Sequence, residues 1–492
     1  MQRYLSYVHL FLACVVCAVF SLIHPPTQAA ENMTQVAQLT RHVVPSEAEF
    51  IWLDEQGPKP LTLDMLALAQ DLGFWQQTSL SSNQSSDSVS RDLDDRYSRL
   101  FINMIQTIKR GEGNEALLSV EQLRRAAQAQ QLDNLLGSML PEHKQVQLLR
   151  EKIRYFQQLE IYVWPSISPM QYRLGQRSPE IAKLRWMLTQ LGDLPPKTLN
   201  GYRDAIYDPT IVSAIKHFQI RHGLAQSGEL DKSTLQALQI SPSERIAHLR
   251  QVLFRWFELP VQLPQNYVWV NIPAYQLQVM ENDSSVLSMR VIVGKPTTPT
   301  PQMMTKLTLM TVNPTWTPPT SIVYGELLPK NNRDPGYLAA HGFELRNVSS
   351  GDSTVIPLAR MPAQQVSALL RDYQLVQQPG ANNSLGRYRF SIPNNDAIYL
   401  HDTPIKSLFS RQERALSHGC VRLDKAEALV NYLLIRHLKQ SPLTLQRAMA
   451  QNAPRNFPLI EPLPVLMTYL TAWVDNMGLV QFREDIYQLD EY

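Results

Sequence analysis

The residues of this 492-residue chain best suited to chemistry are His401-Asp402-Thr403-Pro404 and, a short way on, Ser417-His418-Gly419-Cys420-Val421-Arg422. A cysteine is nucleophilic as its thiolate, so it needs a base or a positive surrounding. His401 follows Ile398-Tyr399-Leu400 at a strand end, where a base could be held rigidly. Attack on a carbonyl also calls for backbone donors to the developing oxyanion. Gly419 lets the backbone come close to a substrate, and the amides of Gly419 and Cys420 can supply those donors. Leu423-Asp424 leads into a helix, which predicts a Cys420 close to a helix N-terminus, where the positive end favours a thiolate.

Cysteine usage singles out the same residue. The chain has three cysteines, and Cys14 and Cys17 fall in a leader-like segment, Met1 to Ala30. Arg3 gives that segment its positive start, Leu10 to Ile23 is apolar apart from Ser21, and His24-Pro25-Pro26 precedes small residues. The apolar run of 14 residues is short against the roughly 20 of a spanning helix. The expectation is an export signal, with an uncleaved membrane anchor as the alternative. Removal of the leader leaves Cys420 alone and excludes an intrachain disulfide framework. The balance of 46 Lys+Arg against 44 Asp+Glu, a formal +2, excludes an electrostatically driven nucleic-acid binder.

Several elements must position this cluster. Residues 31–165 read as a helical scaffold. Leu93, Tyr97, Leu100, Phe101, Met104 and Ile108 share one helix face, and Leu117–Leu136 and His143–Tyr162 read as further helices. The Ser-rich stretch Thr78–Ser90 reads as a solvent loop. No catalytic constellation is visible there. Residues 170–240 read as three helices. Ile181, Leu184, Leu188 and Leu191 mark one, Asp208-Pro209 opens a second that Gly223 stops, and Asp231 with Thr234-Leu235 marks the third. A return helix and linker fill 241–265. From Tyr267 the period becomes two, with Val268, Val270, Ile272, Leu277 and Val279 alternating with polar or aromatic neighbours. A turn at Asn282-Asp283 returns the chain through Val286–Val293, and Thr308–Val312 and Ala397–His401 are further strands. The result is a β-sandwich or barrel-like domain over 266–445, interrupted by an insertion at about 318–381. An amphipathic helix covers Ala426–Leu438, and residues 446–492 form an extension whose closing hairpin runs over Leu463–Ile486.

Tyr172-Arg173-Leu174-Gly175 and the spaced positions after it resemble the small three-helix peptidoglycan-binding domain of cell-wall enzymes. His401, fifteen intervening residues and Ser417-His418-Gly419-Cys420 resemble the active-site signature of the L,D-transpeptidase (YkuD-type) catalytic domain. Val270-Asn271-Ile272-Pro273-Ala274-Tyr275, Arg290–Gly294 and Asn313-Pro314-Thr315-Trp316 resemble its surroundings. The likeness is to the large Gram-negative type, a multidomain α+β protein in which a lid insertion caps a mostly β catalytic domain. It implies Cys420 as nucleophile, His401 as general base with the Asp402 carbonyl behind it, and His418 and Gly419 shaping the site. Arg422, whose forked donors suit a carboxylate, Tyr399, on the His401 face of its strand, Ser417 and Trp316 become candidate substrate contacts.

The resemblance further implies 3-3 cross-linking of stem peptides through a cysteine thioester with release of D-alanine, and neither metal nor organic cofactor. It implies a periplasmic location, peptidoglycan as partner, wall synthases or carboxypeptidases as further partners, and carbapenems as acylating inhibitors. Four alternatives stand beside it. Water as acceptor gives an L,D-carboxypeptidase. A cysteine peptidase on stem peptides usually places its cysteine before its histidine, the reverse of the order here. A non-catalytic wall-binding scaffold would not require Cys420 or His401. A zinc amidase lacks the needed ligand spacing among the eleven histidines.

Overall fold

The computed structural model describes residues 50–74, 86–109, 118–141, 143–169, 172–196, 205–347 and 355–490. The expected export signal, with Cys14 and Cys17, lies outside the described residues. Within them, no helix is long and apolar enough to cross a membrane.

A two-residue ladder of β1 (Leu53–Asp54) and β2 (Gly57–Pro58) leads into α1 (Pro60–Leu72), α2 (Ser86–Ile108), α3 (Val120–Gln128), α4 (Leu132–Gly137) and α5 (Lys144–Leu159). In α2 the stripe of Leu93, Tyr97, Phe101, Met104 and Ile108 is buried, as its spacing requires. The helix already includes Ser86–Ser90, which the serine content had suggested as loop. The single helix expected over Leu117–Leu136 is divided in two. Gln130 takes φ +54° between α3 and α4, a turn that helical propensity does not announce.

The next three helices are α6 (Pro179–Gln190), α7 (Pro209–Arg221) and α8 (Lys232–Gln239). The Asp208 carboxylate accepts from Ile211 N at 3.0 Å and that of Asp231 from Thr234 N at 2.8 Å, so both caps work as their types predict. Gly223, at φ +65°, ends the second helix. The buried Gln219 side chain ties the loop between α7 and α8, donating to Glu229 O at 2.9 Å and accepting from Gly228 N at 2.9 Å. Helix α9 (Pro242–Phe257) starts on a capping box of Ser241 and Glu244 and lays Leu249, Val252 and Leu253 into a core that runs through all these helices.

The β region opens with β3 (Asn266–Asn271), β4 (Gln276–Glu281), β5 (Ser284–Gly294) and β6 (Met303–Val312). Asn282 and Asp283 both adopt positive φ, +47° and +62°, as a two-residue hairpin of the favoured twist demands. Val268 and Val270 point into the core, while Trp269, between them, meets Trp256 of α9 edge-on at 5.9 Å. An insertion follows: a short helix α10 (Thr320–Ile322), a π-helical turn Val323–Leu327, α11 (Leu328–Arg333), α12 (Tyr337–Ala340), β7 (Phe343–Asn347), β8 (Val355–Pro357), α13 (Ala363–Leu369) and β9 (Tyr373–Gln377). It has its own three-stranded sheet and its own apolar core around Leu338, Leu345 and Val366.

The chain re-enters the main sheet with β10 (Tyr388–Ser391), then β11 (Tyr399–His401), β12 (Ala415–Ser417) and β13 (Val421–Leu423). After α14 (Ala426–Leu433), its π-helical continuation Leu434–Leu438 and α15 (Pro442–Ala450) comes β14 (Arg455–Thr468). The nine-stranded sheet runs β12-β5-β13-β11-β10-β6-β14-β3-β4, and β4 also pairs with β5, so it closes on itself as a barrel. Two expectations change here. Strand β14 pairs with β3 and β6, so the barrel needs residues beyond 445. The closing hairpin is the shorter pair β15 (Ala472–Val474) and β16 (Val480–Phe482), and Leu463–Thr468 belongs to the barrel. Leu470, Ala472, Val474, Val480 and Phe482 return to the helical core.

Candidate active site

Strand β11 lies parallel to β13, with His401 opposite Arg422 and Leu400 opposite Val421. The turn Ser417–Cys420 joins β12 to β13, both of which pair with β5. Three short strands of one sheet, β11 and β13 side by side and β12 at its end, thus bring the separated halves of the motif together. Their brevity is offset by complete burial of Leu400, Val421 and Leu423.

His401 is buried, and its Nδ1 lies 2.5 Å from Asp402 O. With the carbonyl accepting, Nδ1 carries the proton and Nε2 is left as the acceptor. Burial first, and then the Arg422 guanidinium, lower the His401 pKa to about 3, so the ring is neutral at ordinary pH. Asp402 uses its carboxylate elsewhere, accepting from Arg387 N at 2.9 Å and Lys406 Nζ at 2.6 Å.

Cys420 is half-buried, with Sγ 3.8 Å from Ala397 O. Burial pushes its thiol up, partly offset by a backbone hydrogen bond with Tyr399 and by Arg422. The expected helix N-terminus is absent: β13 follows Cys420 directly, and α14 begins only at Ala426. The thiol therefore lacks that source of acidity, and burial holds both the thiol and the imidazole neutral.

The turn is built from its own polar groups. Ser417 is 1% exposed, and its Oγ donates to Cys420 O at 2.6 Å while accepting from Gly419 N at 3.1 Å. Two corrections follow: the Ser417 hydroxyl is occupied inside the turn and is not offered to substrate, and the Gly419 amide is occupied with it. Gly419 sits at φ +108°, where a Cβ would lie 2.7 Å from Ile398 Cδ1. Its carbonyl accepts from Thr300 Oγ1 at 2.7 Å.

His418 projects from the turn toward the insertion, with Nε2 2.9 Å from Glu326 Oε1 and 3.5 Å from Lys295 Nζ. Arg422 has a buried Nε with no hydrogen-bond partner, as an arginine awaiting an acceptor would. Tyr399 is half-buried, its ring 5.8 Å from the Arg389 guanidinium. Trp316 stands apart from this group. It pairs with Gln377 through backbone bonds of 3.0 and 2.7 Å and packs on Phe343, at the root of the insertion.

A buried imidazole held in one tautomer beside a cysteine-bearing turn is an arrangement that comparison with known proteins can test. Residues 265–442 match the family described as the L,D-transpeptidase catalytic domain, and residues 177–238 match the one described as “Putative peptidoglycan binding domain”. Residues 265–442, which carry both halves of the motif, are thus similar to an L,D-transpeptidase catalytic domain. A Haemophilus influenzae protein named “Putative L,D-transpeptidase” is 33% identical over 288 residues, 57% of each chain. The chain thus spans a little over half the length of that curated relative. Among solved structures, an L,D-transpeptidase from Mycobacterium smegmatis is 14% identical over 42% of this chain and 58% of that one, with TM-score 0.20. An LD transpeptidase solved in complex with imipenem is 14% identical over 42% and 59%, with TM-score 0.21. Neither superposition is close enough to weigh on the assignment.

Around the cysteine turn the sequence motif misses Glu326, Lys295 and Thr300. Glu326 carries no signal, since it lies in an insertion with no recognisable pattern. Thr300 had one. Gly294 closes β5 where a Cβ would lie 2.2 Å from Thr298 O, so a tight backbone crossing beside the motif was implied by the glycine. Among the described residues, no group of three or more His, Cys, Asp or Glu side chains could hold a metal ion.

Proposed function

We propose that this chain is a peptidoglycan L,D-transpeptidase that joins stem peptides through a thioester on Cys420. The observation that carries this is the pairing of β11 with β13, which sets His401, fixed by Asp402 O, beside the cysteine turn of an L,D-transpeptidase domain. The donor is a tetrapeptide stem. As Sγ attacks the carbonyl before its terminal D-alanine, the thiol proton passes to His401 Nε2. The oxyanion is met by the Cys420 N–H, because the Gly419 N–H is taken by Ser417. Collapse releases D-alanine, whose amine takes the proton from His401, and leaves the acyl group on sulfur. The side-chain amine of an acceptor diaminopimelate then attacks the thioester, forming the 3-3 amide and restoring the thiol. The unpartnered Nε of Arg422 suits a donor carboxylate.

The peptidoglycan-binding family match at residues 177–238 supports attachment to the wall, and the leader supports export to the periplasm. The match of residues 265–442 to the L,D-transpeptidase catalytic family supports carbapenems as acylating agents of Cys420. The test is incubation of the mature protein with purified muropeptide tetrapeptides. A 3-3 dimer that vanishes in Cys420→Ala is expected. Tripeptide alone would assign the carboxypeptidase reaction instead, and neither product alongside intact sacculus binding would assign a scaffold.

A further inference from the structure

The C-terminal segment after β14 belongs to two structures at once. Its hairpin side chains, including Val480 and Phe482, share the core of the helices that carry the peptidoglycan-binding family match. Phe482 stacks on His222 at 5.1 Å, Arg483 Nη1 donates to Arg221 O at 2.8 Å, and Arg255 Nη2 donates to Leu489 O at 2.7 Å. A few residues on, Ile486 and Tyr487 pack against the barrel core. Tyr487 is held by its ring stack on Tyr469 at 5.4 Å and by donation from its own N–H to Tyr469 Oη at 2.7 Å.

The Tyr487 hydroxyl reaches toward the cysteine turn. It donates to Gly294 O at 2.6 Å and accepts from Thr300 N at 3.1 Å. Thr300 Oγ1 in turn accepts from Gly294 N at 2.8 Å and donates to Gly419 O at 2.7 Å. Gly419 O and the Cys420 N–H belong to one peptide unit, which is planar and trans, so the two point in opposite directions. Whatever fixes the Gly419 carbonyl therefore aims the Cys420 N–H.

We propose that Tyr487 is a positioning residue: through Thr300 it aims the Cys420 amide at the oxyanion, and it makes the C-terminal segment the tie between the wall-binding helices and the catalytic turn. The inference rests on the acylation chemistry proposed above. It predicts that Tyr487 matters for steps that build negative charge on a carbonyl oxygen. Simple alkylation of the thiol builds no such charge and is not affected.

The experiment uses the full mature chain and compares wild type, Tyr487→Phe, Thr300→Val and Thr300→Ser. Acylation of Cys420 by imipenem, followed by mass, passes through an oxyanion, whereas alkylation by iodoacetamide does not. The expected result is an acylation rate constant lowered about tenfold or more in Tyr487→Phe and Thr300→Val, with alkylation within about twofold of wild type. Thr300→Ser, which keeps the hydroxyl, should recover most of the rate. Unchanged acylation in Tyr487→Phe, or a parallel fall of acylation and alkylation, would overturn the proposal. A wild-type protein that imipenem does not acylate would instead overturn the underlying function.

Discussion

His418 Nε2 lies 2.9 Å from Glu326 Oε1, so the insertion and the cysteine motif meet through a polar pair. The two side chains are 30% and 38% exposed, and pairs so open to water contribute at most about 1 kcal/mol. Burial lowers the His418 pKa more than Glu326 raises it, so near neutral pH the contact is a hydrogen bond from a neutral ring to a carboxylate. Such a tie can break at little cost. Glu326→Ala should leave the melting temperature within a few degrees of wild type while speeding modification of Cys420 by a bulky maleimide several-fold. Equal maleimide rates in the two proteins would show that the insertion does not screen the thiol.

The resting pair is neutral on both sides. Burial raises the Cys420 pKa above its ordinary value of 9.0, and the His401 pKa is lowered to about 3. A preformed thiolate–imidazolium pair would alkylate at a constant rate from mildly acidic pH upward. This site should instead show an iodoacetamide rate that climbs through pH 7 to 9 with a midpoint above 9. His401→Asn should lower acylation by a muropeptide donor about 10²- to 10⁴-fold. Its alkylation at high pH, where solvent removes the proton, should stay near wild type. A low alkylation midpoint would require the ion-pair mechanism instead.

Acid should destabilise the fold through two buried histidines, His401 and His222, and the largely enclosed His248. Burial lowers the pKa of His401 to about 3 and of His248 to about 4, and lowers that of His222 as well. Each binds its proton more weakly folded than unfolded, so the unfolded chain takes up protons first as pH drops below 6.5. Stability attributable to them is therefore complete above that value and is lost toward their folded pKa values. For His401 alone the shift corresponds to a limit on the order of 5 kcal/mol. Denaturant unfolding between pH 7.5 and 4.5 should show a steep loss in wild type and a shallower one in His401→Asn. Identical slopes would remove His401 from the account.

The legible part of the site is the part made by neighbours in sequence. Cys420, His418 and Gly419 share one turn, and His401 sits on a strand next to theirs; adjacency in sequence showed the first three, and the resemblance to a family signature joined His401 to them. Strand β13 was missed because three residues, Val421–Leu423, are too few to show alternation, and the helix beyond them was drawn too close. Glu326 and Thr300 reach the turn from remote segments through single polar contacts, and Tyr487 is linked to it only by way of Thr300, so none of the three leaves a periodic trace. Strand β14 was misassigned for a related reason. Its partner β3 comes from the far end of the domain, and long-range pairing has no local signature. Caps such as Asp208 and Asp231 were readable because their hydrogen bonds close within three residues.

Gly419 is constrained in two separable ways. At φ +108° a side chain is strained by the backbone itself, typically by about 1–3 kcal/mol. A Cβ would also stand 2.7 Å from Ile398 Cδ1, and that methyl group sits on the residue before the strand that bears His401. Gly419→Ala should therefore lower stability and slow acylation, since relief of the clash moves either the turn or the start of β11. Ile398→Val deletes Cδ1 and leaves φ untouched. The double variant should regain the part of the loss that comes from the clash and keep the part that comes from the dihedral. Unfolding midpoints and imipenem acylation rates of the two single variants and the double variant separate these contributions. If Ile398→Val restores nothing to Gly419→Ala, the strain is wholly in the backbone, and the packing of Ile398 does not govern how the cysteine turn is held.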